Sequence, residues 1–170
     1  RSDTKDFHSA LKSMFREDVN VGMIGEMRSP ETISTAVTAA ETGHLILSTL
    51  HTNNAAQTID RIIDSFPAAQ QSQIRIQLAW SLIGIFSQRL LPGISGGRVP
   101  AYELLLNNPA VSNLIREGRT HEINIVLETS TESGMIDLNH SIGELIRNRE
   151  ISAEDGFNYT LDPDGLKRLI

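Results

Sequence analysis

Cysteine is absent from this 170-residue chain. Disulfides and thiolate metal sites are therefore excluded, and a reducing compartment is allowed without being required. Lysine is scarce: Lys5, Lys12 and Lys167 are the full set, and none follows a glycine. The Gly-x-x-x-x-Gly-Lys-Ser/Thr loop that cradles phosphates is thus missing, which rules out a self-sufficient nucleotide site of that kind. No apolar run approaches the roughly 18–20 residues that span a bilayer, and no signal peptide is visible. Positive charge is also in deficit. The net charge is -6, with -1 over residues 1–92 and -5 over residues 93–170. Neither part carries the basic footprint that phosphate-backbone binding needs, so nucleic acid is a poor partner.

What remains is ample for a core. Hydrophobic residues make up 39% of the chain, which argues against wholesale disorder. The length fits one domain with a small appendage. The opening on Arg1, in polar sequence, leads us to expect a chain cut from something longer.

The apolar, β-branched segment Val19–Glu26 predicts a buried strand. Ser29 and Pro30 then mark a helix start, with Glu31 in the first turn. Ile33, Ala36, Val37 and Ala40 follow at helical spacing, and Gly43 ends the helix. His44–Leu50 reads as a second strand, so a βαβ unit with a parallel sheet is expected. Asn53 or Asn54 can cap the next helix, whose core face is Ala55, Ala56, Ile59, Ile62, Ile63 and Phe66. After Pro67 the stripe Ile74, Leu78, Leu82 and Ile85, widened by Trp80, Ile83 and Phe86, predicts a long helix over 68–90 buried on two sides, with Trp80 in the core. Gly93–Gly97 is a turn. Residues 98–106 are strand-like, with Pro100 pointing to an edge. Helical patterns follow over 109–117, 120–131, 137–149 and 152–168, broken at Gly118, Gly134 and Pro163.

Two groups of residues can carry chemistry. Gly25, Glu26, Met27 and Arg28 close the first strand, and ligands of open α/β sheets gather beyond the carboxyl ends of strands. A glutamate there can polarise a water or hold one through a metal shell. Equally, Glu26 can be a surface carboxylate paired with Arg28. The second group is His44 and His51, which bracket the second strand. His51 falls on the same edge as Glu26, where an imidazole can donate to a phosphate; it can also simply neighbour a helix cap. His44 falls at the opposite end. A zinc site using both is disfavoured, because seven residues of strand would hold them over ~20 Å apart. Arg61 and Arg75 lie on predicted helices and reach either an interface or water. Asp60 and Asp64 read as a solvated face, and His8, His121 and His140 have no matched partners in sequence.

Taken in order, these segments resemble the secretion and pilus ATPases. Phe15 through Arg28 looks like that family's Walker B region. Thr38–His44 and Thr49–Thr52 look like its histidine box. Thr58–Asp64, Gln88–Pro92 and Gly96–Arg98 continue the likeness over essentially the whole chain. Ala110–Glu117, reading AVSNLIRE, resembles the helix tied to pilus retraction; the four-cysteine insert of many assembly relatives is absent, and the closing segment from Ser152 resembles that of retraction ATPases. Departures are Asp18-Val19-Asn20 for the usual Asp-Pro-Asp, Gly22 for a bulkier residue, Ser29 for an acidic one and Ser112 for an arginine.

The resemblance implies an α/β fold: residues 1–92 would form the C-terminal part of a RecA-like P-loop NTPase core, and residues 93–170 an edge strand and small helical subdomain. It implies ATP hydrolysis by the full-length protein, with ATP and Mg²⁺ as ligands and this chain inactive alone. Glu26 and His51 would be catalytic. Gly25, Glu26, Arg28, His44 and His51 would line the nucleotide site, with Mg²⁺ reaching Glu26 through water. Asn113, Leu114, Ile115, Arg116 and Glu117 would couple hydrolysis to work. The implied assembly is a cytoplasmic homo-hexamer at the inner membrane, pulling on a pilus or secretion platform protein. Type II or type IVB secretion ATPases share that chemistry. A nucleotide-free ring-assembly module and a metal hydrolase using Glu26 and His51 are the readings from other classes.

Overall fold

A computed structural model describes residues 9–10, 13 and 16–170; Lys5, His8, Lys12 and Phe15 lie outside them. Strand β1 (Val21–Ile24) is shorter than the expected Val19–Glu26. Helix α1 (Pro30–Glu41) begins as its sequence dictates. The Ser29 hydroxyl accepts the Thr32 N–H at 3.3 Å, and Pro30 occupies a first-turn position that has no use for an N–H. Its buried face is Ile33, Ala36, Val37 and Ala39, so Ala39 takes the place expected of Ala40. Gly43 then turns the chain at φ 96°, a conformation that side chains with a Cβ resist. Strand β2 (Leu45–Ser48) runs parallel to β1, in register from Val21↔Leu45 to Ile24↔Ser48. The expected βαβ unit is present, and it brings the carboxyl ends of both strands to one edge. Ile24, Ala36 and Ala39 are buried beneath it, packed by Val19, Met27 and Ile46.

Helix α2 (Ala55–Asp64) buries the predicted face, with Phe66 just beyond its end. A carboxylate remote in sequence meets one of its first-turn donors: buried Glu103 accepts the Ala55 N–H at 2.7 Å. Burial pushes the Glu103 carboxyl above the ordinary carboxylate range, and the Ala55 hydrogen bond opposes that shift.

The long helix expected over 68–90 is not formed. Helix α3 (Ala68–Ser81) ends there, Leu82 is extended at φ -64° and ψ 130°, and Gly84–Pro92 is a strand, β3. Two contacts account for the break. The Asn107 side-chain amide donates to the carbonyls of Ala79 and Leu82 at 3.0 and 2.8 Å; both are acceptors a continuing helix would have used for its own N–H groups. Gly84 packs so close to its partner strand that a Cβ there would come within 2.8 Å of the Leu105 carbonyl. Burial on two sides also fails. Ile74 and Leu78 are buried, but Trp80 is 73% exposed and Ile83 and Phe86 face outward as well. Trp80 is therefore a surface residue, with the Arg116 guanidinium 5.9 Å from its ring centroid.

Strand β3 pairs antiparallel with β4 (Arg98–Leu106), from Gly84↔Leu106 to Pro92↔Arg98, around the predicted Gly93–Gly97 turn. Helix α4 (Pro109–Glu117) follows with Asn108 as its cap. The remaining predicted helical stretches resolve into α5 (Ile123–Thr129), α6 (Leu138–Arg147), α7 (Ala153–Tyr159) and α8 (Pro163–Lys167), with 3-10 turns at Thr120–Glu122 and Thr131–Ser133. The stretch 152–168 divides because Pro163 starts a new helix instead of continuing the old one.

The chain forms two compact units. One comprises Arg1–Thr52, Gln57–Ile83 and Asn107–Thr120; the other comprises Asn53–Ala56, Gly84–Leu106 and His121–Ile170. The division is not a single cut, because the hairpin ladder keeps β3 with β4. The second unit is built on Leu91, Ala101, Leu138, Ile142, Ile151 and Leu166.

The exposure of Trp80 has a measurable consequence. Trp80→Gln should change unfolding free energy in urea by less than about 1 kcal/mol, as for an exposed site with one cation–π contact. A loss of about 3–5 kcal/mol would return Trp80 to a core position.

Candidate functional site

The carboxyl edge of the β1–β2 pair carries the acidic and basic groups that the sequence pointed to. Beyond Ser48 and Ile24 the regular ladder stops, and Thr49 takes over. Its hydroxyl donates to the Gly25 carbonyl at 2.5 Å, and its own carbonyl accepts the Met27 N–H at 3.3 Å. Glu26 stands between those two bonded residues. Met27 turns back onto the buried cluster around Ile24, which leaves Glu26 at the edge.

Three side chains meet there. An Arg28 Nη donates to a Glu26 Oε at 2.6 Å. The His51 Nε2 lies 3.4 Å from the other Glu26 oxygen. Glu26 is the shielded member, its side chain 26% exposed against 78% for Arg28 and 86% for His51. The Arg28 hydrogen bond holds the Glu26 carboxyl below the ordinary carboxylate range; partial desolvation opposes this, and the charges of Arg28 and His51 reinforce it. Glu26 is thus an anion at neutral pH, paired with Arg28 at one oxygen and approached by His51 at the other. The pairing contributes above the ordinary carboxylate range and is lost as pH falls through the lowered value.

His44 is not brought to this edge. It sits at the amino end of β2, where its ring nitrogen lies 3.1 Å from the Ala39 carbonyl and 3.2 Å from the Thr42 hydroxyl. Its own N–H also donates to the Ala39 carbonyl at 3.1 Å. His44 fastens the end of α1 to the start of β2. Gly25 lies at the site, with open space where a Cβ would be.

The residues implied in coupling lie on α4. Leu114 and Ile115 are buried with Val111. Asn113 donates to Glu117 at 2.9 Å and accepts from Arg116 at 3.0 Å, and Arg119 pairs with Glu117 at 2.8 Å. The helix presents a linked polar face with Arg116 over Trp80. Ser112, where the resembling motif has arginine, ties the helix to its neighbour: its hydroxyl donates to the Ala79 carbonyl at 2.8 Å. Sequence reasoning did not find this role, nor those of Asn107, Glu103 and Thr49. In each, a side chain meets backbone distant in sequence, which spacing does not reveal. Asp60 also departs from a purely solvated face, accepting from the Thr120 hydroxyl at 2.7 Å. His140 pairs with Asp137 and His121 approaches Glu122 at 3.6 Å, so both have partners.

A family model described as type II/IV secretion system protein matches residues 2–153. The chain belongs to that family. It is 50% identical over 152 residues to a twitching motility protein of Neisseria gonorrhoeae, covering 89% of this chain and 41% of that protein. It is 44% identical over 153 residues to the type IV pilus retraction ATPase PilT of Pseudomonas aeruginosa, covering 90% of this chain and 44% of the relative. A crystal structure of the pilus retraction motor PilT with bound ADP superposes with a TM-score of 0.88 at 47% identity, over 98% of this chain and 47% of that one. The α/β, RecA-like fold class is confirmed by that match. The chain spans less than half the length of these family members.

The grip on Glu26 can be measured. Arg28→Gln should raise the Glu26 pKa toward the ordinary carboxylate range in a carbon-detected NMR titration. An unchanged Glu26 titration would show that the ion pair does not hold the carboxylate.

Proposed function

We propose that this chain contributes the water-orienting side of the ATP site of a ring-forming motor that retracts type IV pili. The observation that carries this is the placement of Glu26, Arg28 and His51 on one carboxyl strand edge, in a fold shared with a retraction motor. The phosphate loop would come from the portion of the family's length that this chain does not span.

The residues fit a nucleotide's terminal phosphate and its cation. Glu26 is ionised, and Arg28 and His51 are exposed donors beside it. Among the described residues no group of three His, Asp, Glu or Cys side chains could hold a metal ion. Mg²⁺ keeps several waters and leans on substrate phosphates, so Glu26 would reach it through water. When bound, Mg²⁺ would neutralise charge developing on the transferred phosphoryl group. Glu26 would accept a hydrogen bond from the attacking water and aim it in line. Arg28 and His51 would donate to phosphate oxygens, which requires each to loosen its hold on Glu26. His44 would act at a distance, by holding the start of β2.

The motor would be a homo-hexamer, cytoplasmic and peripheral to the inner membrane. Force would pass to a platform protein in the bilayer. Helix α4 would transmit it. Leu114 and Ile115 anchor that helix, and Asn113, Arg116 and Glu117 offer a polar face.

In the full-length protein, Glu26→Gln should keep ATP binding and lower turnover by roughly 10²-fold or more, as expected for loss of a general base. Near-normal hydrolysis would reassign Glu26 to structure. Replacing Asn113, Arg116 and Glu117 together with alanine should leave ATP hydrolysis intact and abolish twitching in cells. Normal twitching would remove the retraction assignment while leaving the ATPase chemistry untouched.

A further inference from the structure

We infer that Thr49 is the positioning residue for Glu26, acting through the two peptide groups that flank it; this rests on the reading of Glu26 as the water-orienting carboxylate. The direction in which the Glu26 Cα–Cβ bond leaves the chain is set by its own backbone torsions. Those torsions are set by the orientation of two peptide planes, one ending in the Gly25 carbonyl and the other beginning at the Met27 N–H. Thr49 binds both. Its hydroxyl donates to the Gly25 carbonyl at 2.5 Å and its carbonyl accepts the Met27 N–H at 3.3 Å.

Packing of Met27 on the Ile24 cluster also bears on the second of these planes, while Thr49 bonds to both. The β1–β2 ladder ends at Ile24↔Ser48, one residue before the first of them. Gly25 has no side chain to pack, and nothing lies within 4 Å of where its Cβ would be. Arg28 and His51 reach the carboxylate itself, but from side chains 78% and 86% exposed. Long exposed side chains hold a geometry poorly. Both must also turn toward phosphate if they bind it. When they leave Glu26, the Thr49 hydrogen bonds still hold the backbone from which it projects. Threonine suits this position because its branched Cβ favours extended backbone and restricts χ1, which keeps the hydroxyl directed.

The decisive experiment is ATP hydrolysis by the full-length protein with Mg²⁺, comparing Thr49→Val, Thr49→Ala and Thr49→Ser. Valine keeps the shape and removes the donor. Both Thr49→Val and Thr49→Ala should lower kcat by about tenfold, a smaller loss than the ~10²-fold that a 1 Å misplacement of a reacting group can cause, with KM for ATP within about twofold of the parent. Thr49→Ser, which restores the hydroxyl, should recover most of the loss. In single turnover, Thr49→Val added to Glu26→Gln should cause no further loss, because the effect passes through Glu26. Parental kcat in Thr49→Val and Thr49→Ala, failure of serine to recover the rate, or a full additional loss on top of Glu26→Gln would each overturn the inference. Undiminished hydrolysis by Glu26→Gln alone is a separate result, which would overturn the underlying reading of Glu26 and the role of Thr49 with it.

Discussion

Four residues of parallel pairing, Val21–Ile24 against Leu45–Ser48, fix the geometry on which the candidate site depends. The pairing is short, so it is held from both ends. At the amino end, the Asn20 carbonyl accepts the Leu45 N–H at 2.9 Å, while His44 is tied to the last turns of α1. At the carboxyl end, Thr49 replaces the ladder with one backbone and one side-chain hydrogen bond. Beneath it lie Ile24, Ala36 and Ala39; the two alanines let α1 approach the strands closely. A slip of one residue would send Ile24 outward and carry Glu26 away from His51. The placement of charged groups is therefore inherited from burial of apolar ones.

That edge has an internal tension. Glu26 is more useful to chemistry as a free, ionised base, yet in this structure both its oxygens are engaged. The engagement keeps it ionised by making the protonated form less favourable. It also occupies Arg28 and His51. A phosphate bound as proposed would offer those donors a more highly charged partner and release the carboxylate while leaving its backbone in place. The same residues would then serve both to store Glu26 in its charged form and to sense the ligand.

Much of this was legible in the sequence, for local reasons. Ser29-Pro30 specifies a helix start by its own chemistry, Gly43 specifies a stop, and the two flanking apolar runs specify strands; together they put Glu26 and His51 on one edge. The long helix over 68–90 was misjudged because Ile74, Leu78, Leu82 and Ile85 continue a helical stripe through a point where the chain changes type. Gly84 was the warning, since glycine inside a helix costs about 1 kcal/mol relative to alanine. The deciding contacts, Asn107 on the Ala79 and Leu82 carbonyls, come from more than twenty residues away. Trp80 was assigned to the core for the same reason: its apolar character was visible, but the end of the helix that exposes it was not. Thr49 shows the same limit at the site. The motif marked its position, and only the folded backbone shows that its hydroxyl reaches Gly25.

The structure of the full-length protein with Mg²⁺ and a non-hydrolysable ATP analogue tests this mechanism most directly. The terminal phosphate should lie at the 25–28 and 49–52 edge, with a water between it and the Glu26 carboxylate, and with Arg28 and His51 turned from Glu26 toward phosphate oxygens. A nucleotide bound with its terminal phosphate away from that edge, and Glu26 still paired with Arg28, would contradict it.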